Sequence, residues 1–312
     1  MKVCSIALLL LALPCLSFAW YPRQQENSLL TGGSPMPLID SDRHYQVTEG
    51  DSLPALARSM GLGYANLLAA NPDIDPWLPP AGKLLRLPYR TILSGRPTPG
   101  ITVNLAELRL YLIWSENGLL RVRIYPVGIG REGFETPEGG FTILGKVSNP
   151  TWSVPEPLRL ERPELPAQVP PGPDNPLGGY WLGFSRRGHG IHGTNQPYGI
   201  GRRVSHGCIR LYPEDIGDLF ARVSPGTPVQ IVNQPVKVGI SGNTLYIEAH
   251  PDLRGNDQKP EAIEIVKRQA RMLNWPGELP RDMVDRILEE RLGIPVNFIS
   301  VADPAKAMEA VH

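Results

Sequence analysis

Cysteine is scarce in this sequence, and the scarcity gives the first useful constraint. Only three of the 312 residues are cysteines, and Cys4 and Cys15 lie close to the N-terminus. If that segment is removed on export, Cys208 stands alone and no disulfide framework can hold the fold together. A lone thiol in an exported chain is either an inert core residue or a working nucleophile.

An excess of charge of one sign is also missing. Lys plus Arg and Asp plus Glu both number 31, so the formal net charge is zero. We therefore expect neither a nucleic-acid partner nor a polybasic surface for membranes. No apolar run beyond the N-terminal segment is long enough to span a bilayer, so we expect no membrane anchor.

The first 19 residues have the pattern of a secretory signal peptide. Lys2 supplies a positive start, and an apolar run follows from Val3 to Leu13. Ser17-Phe18-Ala19 then places small residues where a signal peptidase reads. The run is shorter than the ~20 residues of a spanning helix, so the pattern predicts cleavage after Ala19 and a periplasmic location.

Residues 20–43 are polar and are predicted to form a linker, and residues 44–90 form a compact unit after it. Apolar spacing and turn residues predict the order strand, helix, helix, strand. The unit reads Y-x-V-x-x-G-D-S-L at 45–53, A-N-P at 70–72 and P-x-G-x-x-L-x-L-P at 80–88. It resembles a LysM domain, which implies binding to the glycan of peptidoglycan. A packing domain without a ligand is the alternative.

The rest of the chain is mostly β-rich. Alternating apolar residues predict strands through residues 99–233, followed by a hairpin and two helices within 234–312. We predict a mainly β central domain between a small βααβ unit and a C-terminal α/β appendage. Residues 148–179 form a proline-rich insertion whose length is typical of lids and binding walls.

The lone thiol lies in a segment rich in histidine and glycine. Cys208 has His189, His192 and His206 as near neighbours in the sequence. A thiol attacks as thiolate and needs a nearby proton acceptor, which His supplies near neutral pH. Glycines let backbone N–H groups approach a reacting carbonyl. The same four side chains also suit zinc, although their spacings are not those of common zinc motifs.

This segment resembles the catalytic domain of the YkuD-type L,D-transpeptidases. The match rests on H-G-T at 192–194 and S-H-G-C-I-R at 205–210, with His192 and Cys208 separated as in that family. The resemblance implies a β-sandwich, Cys208 as nucleophile, His192 as general base, and no metal or cofactor. It also implies a set of substrate and oxyanion-hole candidates: Gly193, Thr194, Ser205, His206, Gly207 and Arg210.

By the same resemblance, Cys208 attacks a peptidoglycan stem tetrapeptide at the L-centre of its third residue and releases D-alanine. The acceptor amine belongs to a second stem, giving a 3-3 cross-link, or to a lysine of an outer-membrane lipoprotein. A hydrolase using the same thioester and a non-catalytic wall-binding protein are the alternatives. Arg210 either binds a substrate carboxylate or braces its loop. His44, His250 and His312 are predicted to lie on the surface.

Overall fold

The structure, a computed structural model of the 312-residue chain, describes residues 27–29, 38–39, 41–94, 97–252 and 259–298. The predicted signal peptide and its cleavage site after Ala19 lie outside these residues, as does His312. A search of the described ranges finds no helix with the length and apolar character needed to cross a membrane.

Two short strands lie inside the segment predicted to be a linker: β1 (Asn27–Leu29) and β2 (Leu38–Ile39). The first pairs antiparallel with residues 120–122, and the second pairs with residues 91–92. Parts of this polar segment therefore belong to sheets. Backbone pairing at a sheet edge needs no apolar pattern, because N–H and C=O groups make the ladder bonds.

The unit that resembles a LysM domain has the predicted order of elements. Strands β3 (Arg43–Gln46) and β4 (Leu84–Leu87) pair antiparallel and flank helices α1 (Leu53–Ser59) and α2 (Tyr64–Ala69). Ser52 caps α1 by accepting a hydrogen bond from the Ala55 amide at 3.4 Å. The unit has its own core, which includes Val47, Leu53, Leu56, Leu67 and Leu85.

The central domain is mainly β, as predicted. Its strands are β5 (Thr91–Ile92), β6 (Gly100–Asn104), β7 (Arg109–Glu116), β8 (Leu119–Pro126), β9 (Ile129–Gly130), β10 (Gly139–Ser148), β11 (Trp152–Ser153), β12 (Gln168–Val169), β13 (Tyr180–Phe184), β14 (Gly190–His192), β15 (Arg203–Ser205), β16 (Ile209–Arg210) and β17 (Pro228–Val232). Helix α3 (Glu156–Glu161) lies in the proline-rich insertion, and α4 (Pro213–Arg222) follows β16.

One strand joins the two halves of the main sheet, whose order is β1-β8-β7-β6-β17-β10-β13-β14-β16. The first part of β10 pairs with β17 and its second part pairs with β13, with a register shift between Ile143 and Gly145. Such a shift bends a strand, and here it lets both halves enclose one core together with α4. That core includes Val103, Leu110, Leu182, Ile191, Ile209, Ile216, Leu219 and Ile231.

The C-terminal unit is a three-stranded sheet covered by two helices. Strands β18 (Val236–Ser241) and β19 (Thr244–Ala249) form the predicted hairpin, and α5 (Lys259–Met272) and α6 (Arg281–Glu290) match the predicted helices. A third strand, β20 (Pro295–Phe298), pairs with β19 and was not predicted. The helices pack on the sheet through a separate apolar core that includes Val238, Ile247, Val266, Val284 and Ile287.

A buried cluster of charges joins this unit to the central sheet. Lys237 Nζ lies 2.9 Å from Glu107 Oε2 and 3.2 Å from Glu248 Oε2. Arg109 Nη1 lies 3.1 Å from Glu248 Oε1. His250 Nε2 also lies 2.8 Å from Glu248 Oε1, so the prediction of a surface position for His250 was wrong. Two buried cations compensate the two carboxylates, which is the condition for burying such groups.

Candidate active site

His192 and Cys208 are brought together by a parallel pair of strands. Strands β14 and β16 align Ile191 with Ile209 and His192 with Arg210. Residues two apart along a strand point to the same face, so Cys208, just before β16, shares the face of Arg210 and His192. The pairing thus places the imidazole, the thiol and the guanidinium on one face of the sheet, although His192 is far from the other two along the chain.

His192 is held as a neutral base. Its ring is buried, with 4 % of the residue exposed, and Nδ1 lies 2.7 Å from the Gly193 carbonyl oxygen. That oxygen only accepts, so Nδ1 carries the hydrogen and Nε2 is the proton acceptor. Burial, together with the Arg210 charge, lowers the pKa of His192 to about 3, despite the opposing effect of the Gly193 carbonyl. Trp181 stacks on the ring at 5.8 Å between centroids.

Cys208 is a partly exposed free thiol that rests in its protonated form. Its Sγ donates a hydrogen bond to the Gly188 carbonyl oxygen at 3.6 Å. Burial raises the pKa of the thiol, while a hydrogen bond from the Gly190 amide and the charge of Arg210 act in the opposite direction. Cys208 is therefore a neutral thiol on the same sheet face as the neutral imidazole of His192.

Arg210 carries its guanidinium near the Cys208 thiol, on whose pKa its charge acts. Its Nε is buried and has no hydrogen-bond acceptor within the described ranges, and burial lowers the pKa of the group. The backbone holds its strand, because Arg210 N donates to Gly128 O at 2.8 Å and Gly128 N donates back at 2.9 Å. The loop is thus braced by the main chain, and the side chain is available to an anion.

Two of the candidates from the sequence, Ser205 and Gly207, hold the loop that carries Cys208. The Gly207 amide donates to Ser205 Oγ at 3.2 Å, and Ser205 Oγ donates to the Cys208 carbonyl at 2.5 Å. Ser205 is 1 % exposed, and Gly207 has a φ of +100°, a conformation that favours glycine. Since the Gly207 amide is engaged, the His206 and Cys208 amides are the better candidates for an oxyanion hole.

His206 is set by residues that the sequence interpretation missed. Arg131 Nη2 lies 3.1 Å from His206 Nε2, and Phe134 packs edge-on at 4.7 Å. Because arginine only donates, Nε2 accepts and His206 is neutral; burial and the Arg131 charge lower its pKa. Arg131 also lies 4.0 Å from Glu161 Oε2 in α3. Nothing local in the sequence indicated this contact with the insertion.

Gly193 and Thr194 shape the turn after the base. A Cβ on Gly193 would lie 3.1 Å from Ile216 Cγ2 and 3.2 Å from the Leu177 carbonyl. Thr194 is buried, and its Oγ1 accepts a hydrogen bond from the Gln196 amide at 2.9 Å. The turn therefore packs against the end of the 148–179 insertion.

The geometry gives no support to a zinc site at Cys208. Three ligand atoms of His189, His192, His206 and Cys208 do not come together within the described ranges. There, the one group of three or more possible ligands is Glu107, Glu248 and His250. The Lys237 ammonium already lies against both of these carboxylates and occupies the position that a metal ion would need.

The pH dependence of thiol alkylation tests the resting state of Cys208. We expect the rate with iodoacetamide to rise with pH and to give an apparent pKa above the ~8.5 of a free thiol. Arg210→Gln should move this pKa further upward, because a nearby cation stabilises the thiolate. Intact mass recorded over time at each pH gives the rates, with Arg268→Gln on α5 as the charge control. Activated thiolates in proteins have pKa values below about 7.5. An apparent pKa below ~7 would therefore contradict a protonated Cys208 thiol in the resting site.

Comparison with known proteins identifies two known domains in this chain. A sequence profile described as the L,D-transpeptidase catalytic domain (YkuD) matches residues 98–231, and a LysM-domain profile matches residues 45–88. The chain is 37 % identical to the probable L,D-transpeptidase YcfS of Escherichia coli over 298 residues, 92 % of this chain and 90 % of that protein. It is 32 % identical to the putative L,D-transpeptidase YkuD of Bacillus subtilis over 60 % of this chain and 97 % of that protein.

Among solved structures, similarity is found to the catalytic domain of an Enterococcus faecium L,D-transpeptidase determined by NMR. The identity is 26 % and the TM-score 0.34, over 44 % of this chain and 99 % of that one. The assignment follows from the long match to the Escherichia coli relative, which runs through all three units described above. The chain belongs to the L,D-transpeptidase family, with a YkuD catalytic domain and a LysM domain.

Proposed function

We propose that this protein is a peptidoglycan L,D-transpeptidase in which Cys208 is the nucleophile and His192 the general base. The observation that carries the proposal is the neutral Nδ1–H tautomer of His192 on the same sheet face as a free thiol. Residues 99–233 are proposed as the catalytic domain, and residues 234–312 as a C-terminal appendage.

The first half-reaction forms a thioester. His192 Nε2 takes the Sγ proton as sulfur bonds to the carbonyl carbon at the L-centre of the third stem residue. The carbon–nitrogen bond to D-alanine then breaks, and the imidazolium returns its proton to the leaving amine. The negative oxygen of the intermediate is proposed to accept from the His206 and Cys208 amides.

The second half-reaction transfers the acyl group to an amine. The amine attacks the thioester carbon, the carbon–sulfur bond breaks, and Cys208 recovers a proton. A diamino acid of a second stem would give a 3-3 cross-link, and a lysine of an outer-membrane lipoprotein would attach that protein to the wall. Water in place of the amine would give a hydrolase.

Arg210 is proposed to bind a carboxylate of the stem peptide. Its charge acts on the thiol, and its buried Nε has no hydrogen-bond acceptor within the described ranges. A charge-assisted hydrogen bond to a substrate carboxylate would satisfy it and orient the stem. The other candidates are proposed to act indirectly, by shaping the turns around the two reacting residues. These candidates are Gly193, Thr194, Ser205 and Gly207.

Residues 44–90 are proposed to bind the glycan strands of peptidoglycan, as expected for a LysM domain. A periplasmic location is part of the proposal, and it is supported by the N-terminal sequence up to Ala19, which has the pattern of a signal peptide for export.

Acylation by a carbapenem tests the nucleophile. A strained β-lactam presents an amide carbonyl, so we expect one drug mass on the peptide that contains Cys208 and none on Cys208→Ala. Turnover of a soluble tetrapeptide should survive a chelator and be lost after thiol alkylation. Mass spectrometry of the products identifies released D-alanine and distinguishes cross-linked stems from hydrolysed ones. Loss of activity with a chelator, and no adduct on Cys208, would overturn the proposal.

A further inference from the structure

The LysM domain is packed against the catalytic domain through buried, hydrogen-bonded residues, so the two are not joined only by a flexible linker. Its residues Leu62 and Asn66 are buried, as are Ile200 and Tyr212 of the catalytic domain. The Asn66 amide side chain donates to the Glu107 carbonyl at 2.9 Å, and Tyr212 Oη donates to the Leu62 carbonyl at 3.0 Å. Domains joined by weak interfaces move freely, whereas buried, hydrogen-bonded ones are held in place.

One part of this contact lies on the catalytic chain before Cys208. The Ala65 amide donates to the Gly201 carbonyl at 3.3 Å, and the Arg202 guanidinium lies 3.8 Å above the Tyr64 ring. Gly201 has a φ of +77°, and a Cβ there would lie 2.2 Å from the Tyr64 amide. The two backbones therefore meet where no larger residue fits.

A second part of the contact lies on the catalytic chain after Cys208. Arg58 Nη2 is 2.5 Å from Glu214 Oε1 at the start of α4. The Arg58 guanidinium also lies 4.6 Å above the Tyr212 ring. Tyr212 directly follows Leu211, whose amide donates to the His192 carbonyl at 2.9 Å. The LysM domain thus holds the catalytic chain on both sides of the nucleophile.

Short backbone connections carry these two attachments to the reacting groups. Ile129 N donates to Arg202 O at 3.0 Å, and Gly201 N donates to Val127 O at 3.0 Å. Strand β15 continues from Arg203 to Ser205, whose hydroxyl donates to the Cys208 carbonyl. A displacement of residues 200–203 would therefore reach the nucleophile loop without an intervening flexible segment.

We propose that Arg58 and Tyr64 of the LysM domain are positioning residues for the transpeptidase reaction. Through Glu214, Tyr212 and Arg202 they fix the segment that carries Cys208 relative to His192. The LysM domain then contributes to the chemical step as well as to wall binding. The inference rests on the proposed chemistry at Cys208.

The test uses a soluble tetrapeptide without glycan, on which a LysM domain acting only as a tether would have no effect. For the full-length Arg58→Ala/Tyr64→Ala variant we expect kcat to fall about 10- to 100-fold, the size of effect that small misplacements of reacting groups produce. KM should change much less. The rate of Cys208 acylation by a carbapenem should fall with kcat. The single variant Tyr64→Phe, in which Arg58 is intact, keeps the ring under Arg202 and should have wild-type kcat.

The control is Arg268→Ala, which removes an exposed arginine from α5, outside both the LysM domain and the site, and should leave kcat unchanged. Thermal unfolding and binding to isolated sacculi report whether the double variant is folded. If the double variant does not fold, kcat is measured for Glu214→Gln instead, because this change removes only the charge opposite Arg58. A folded variant with kcat within twofold of wild type would overturn the inference. Absence of turnover in the wild type would instead overturn the proposed function.

Discussion

Replacing Cys208 with alanine is expected to abolish turnover of the tetrapeptide while the protein remains folded, and His192→Ala should do the same. Residues that act as a pair fail together, so each variant should lose at least about 10³-fold in kcat, with no further loss in the double variant. The His192 imidazole is buried and neutral, and its Nε2 is free to accept a proton. An alanine side chain has no proton acceptor, so the variant should lack the proposed base.

Release of D-alanine measured by mass spectrometry gives the rates, and circular dichroism shows whether each variant folds. His44→Ala, which removes an exposed histidine of β3, is the matched control and should keep full activity on the soluble substrate. Wild-type turnover by Cys208→Ala would end the covalent hypothesis. An active Cys208→Ala variant that also resists alkylation would point to a hydrolytic mechanism independent of the thiol.

Lys237→Met is expected to destabilise the protein by about 3–5 kcal/mol, the range found when one partner of a buried ion pair is removed. The lysine is 1 % exposed and lies against Glu107 and Glu248, which have no solvent contact. Methionine is similar in length, so little cavity forms and the loss is mainly electrostatic. Chemical denaturation at neutral pH, followed by fluorescence, gives the free energy of unfolding.

The effect of Lys237→Met should depend on pH in a defined direction. In the wild type, desolvation raises the pKa values of Glu107 and Glu248, but Lys237 and the other nearby cations outweigh it, and both values are lowered. Their contribution to stability is therefore present above the ordinary Glu pKa of ~4.3 and is lost as pH falls through the lowered values. In the variant, burial without the lysine should raise both pKa values, so the difference in stability should shrink towards acid pH.

The control for this prediction is Lys267→Met. Lys267 Nζ lies 2.8 Å from Glu264 Oε1, but both side chains are largely exposed, at 48 % and 64 %. Exposed pairs contribute about 0–1 kcal/mol, so this variant should stay close to wild type. A loss of less than 1 kcal/mol for Lys237→Met would show that the buried cluster rearranges or admits water.

Local patterns were sufficient to predict most of the secondary structure and to propose the reacting residues. Strand β17 was predicted at Pro228–Val232, where the structure has it, because alternation along a single strand is a property of neighbouring residues. Cys208 and His192 were proposed because the thiol, the histidines and the glycines occur within one short segment. The mainly β fold class and the βααβ order of the LysM domain came from the same local signals.

Contacts between segments that are distant in the sequence could not be predicted from patterns among neighbouring residues. His250 was predicted to lie on the surface, yet it is buried against Glu248 near Lys237 and Glu107, which come from separate units of the chain. Arg131 sets His206 across a long separation in sequence, and Arg58 pairs with Glu214 across an even longer one. A charged residue has the same local sequence context whether it faces water or a buried partner. Its role was decided when packing brought the partners together, because the energy of a charge depends on burial and on nearby charges.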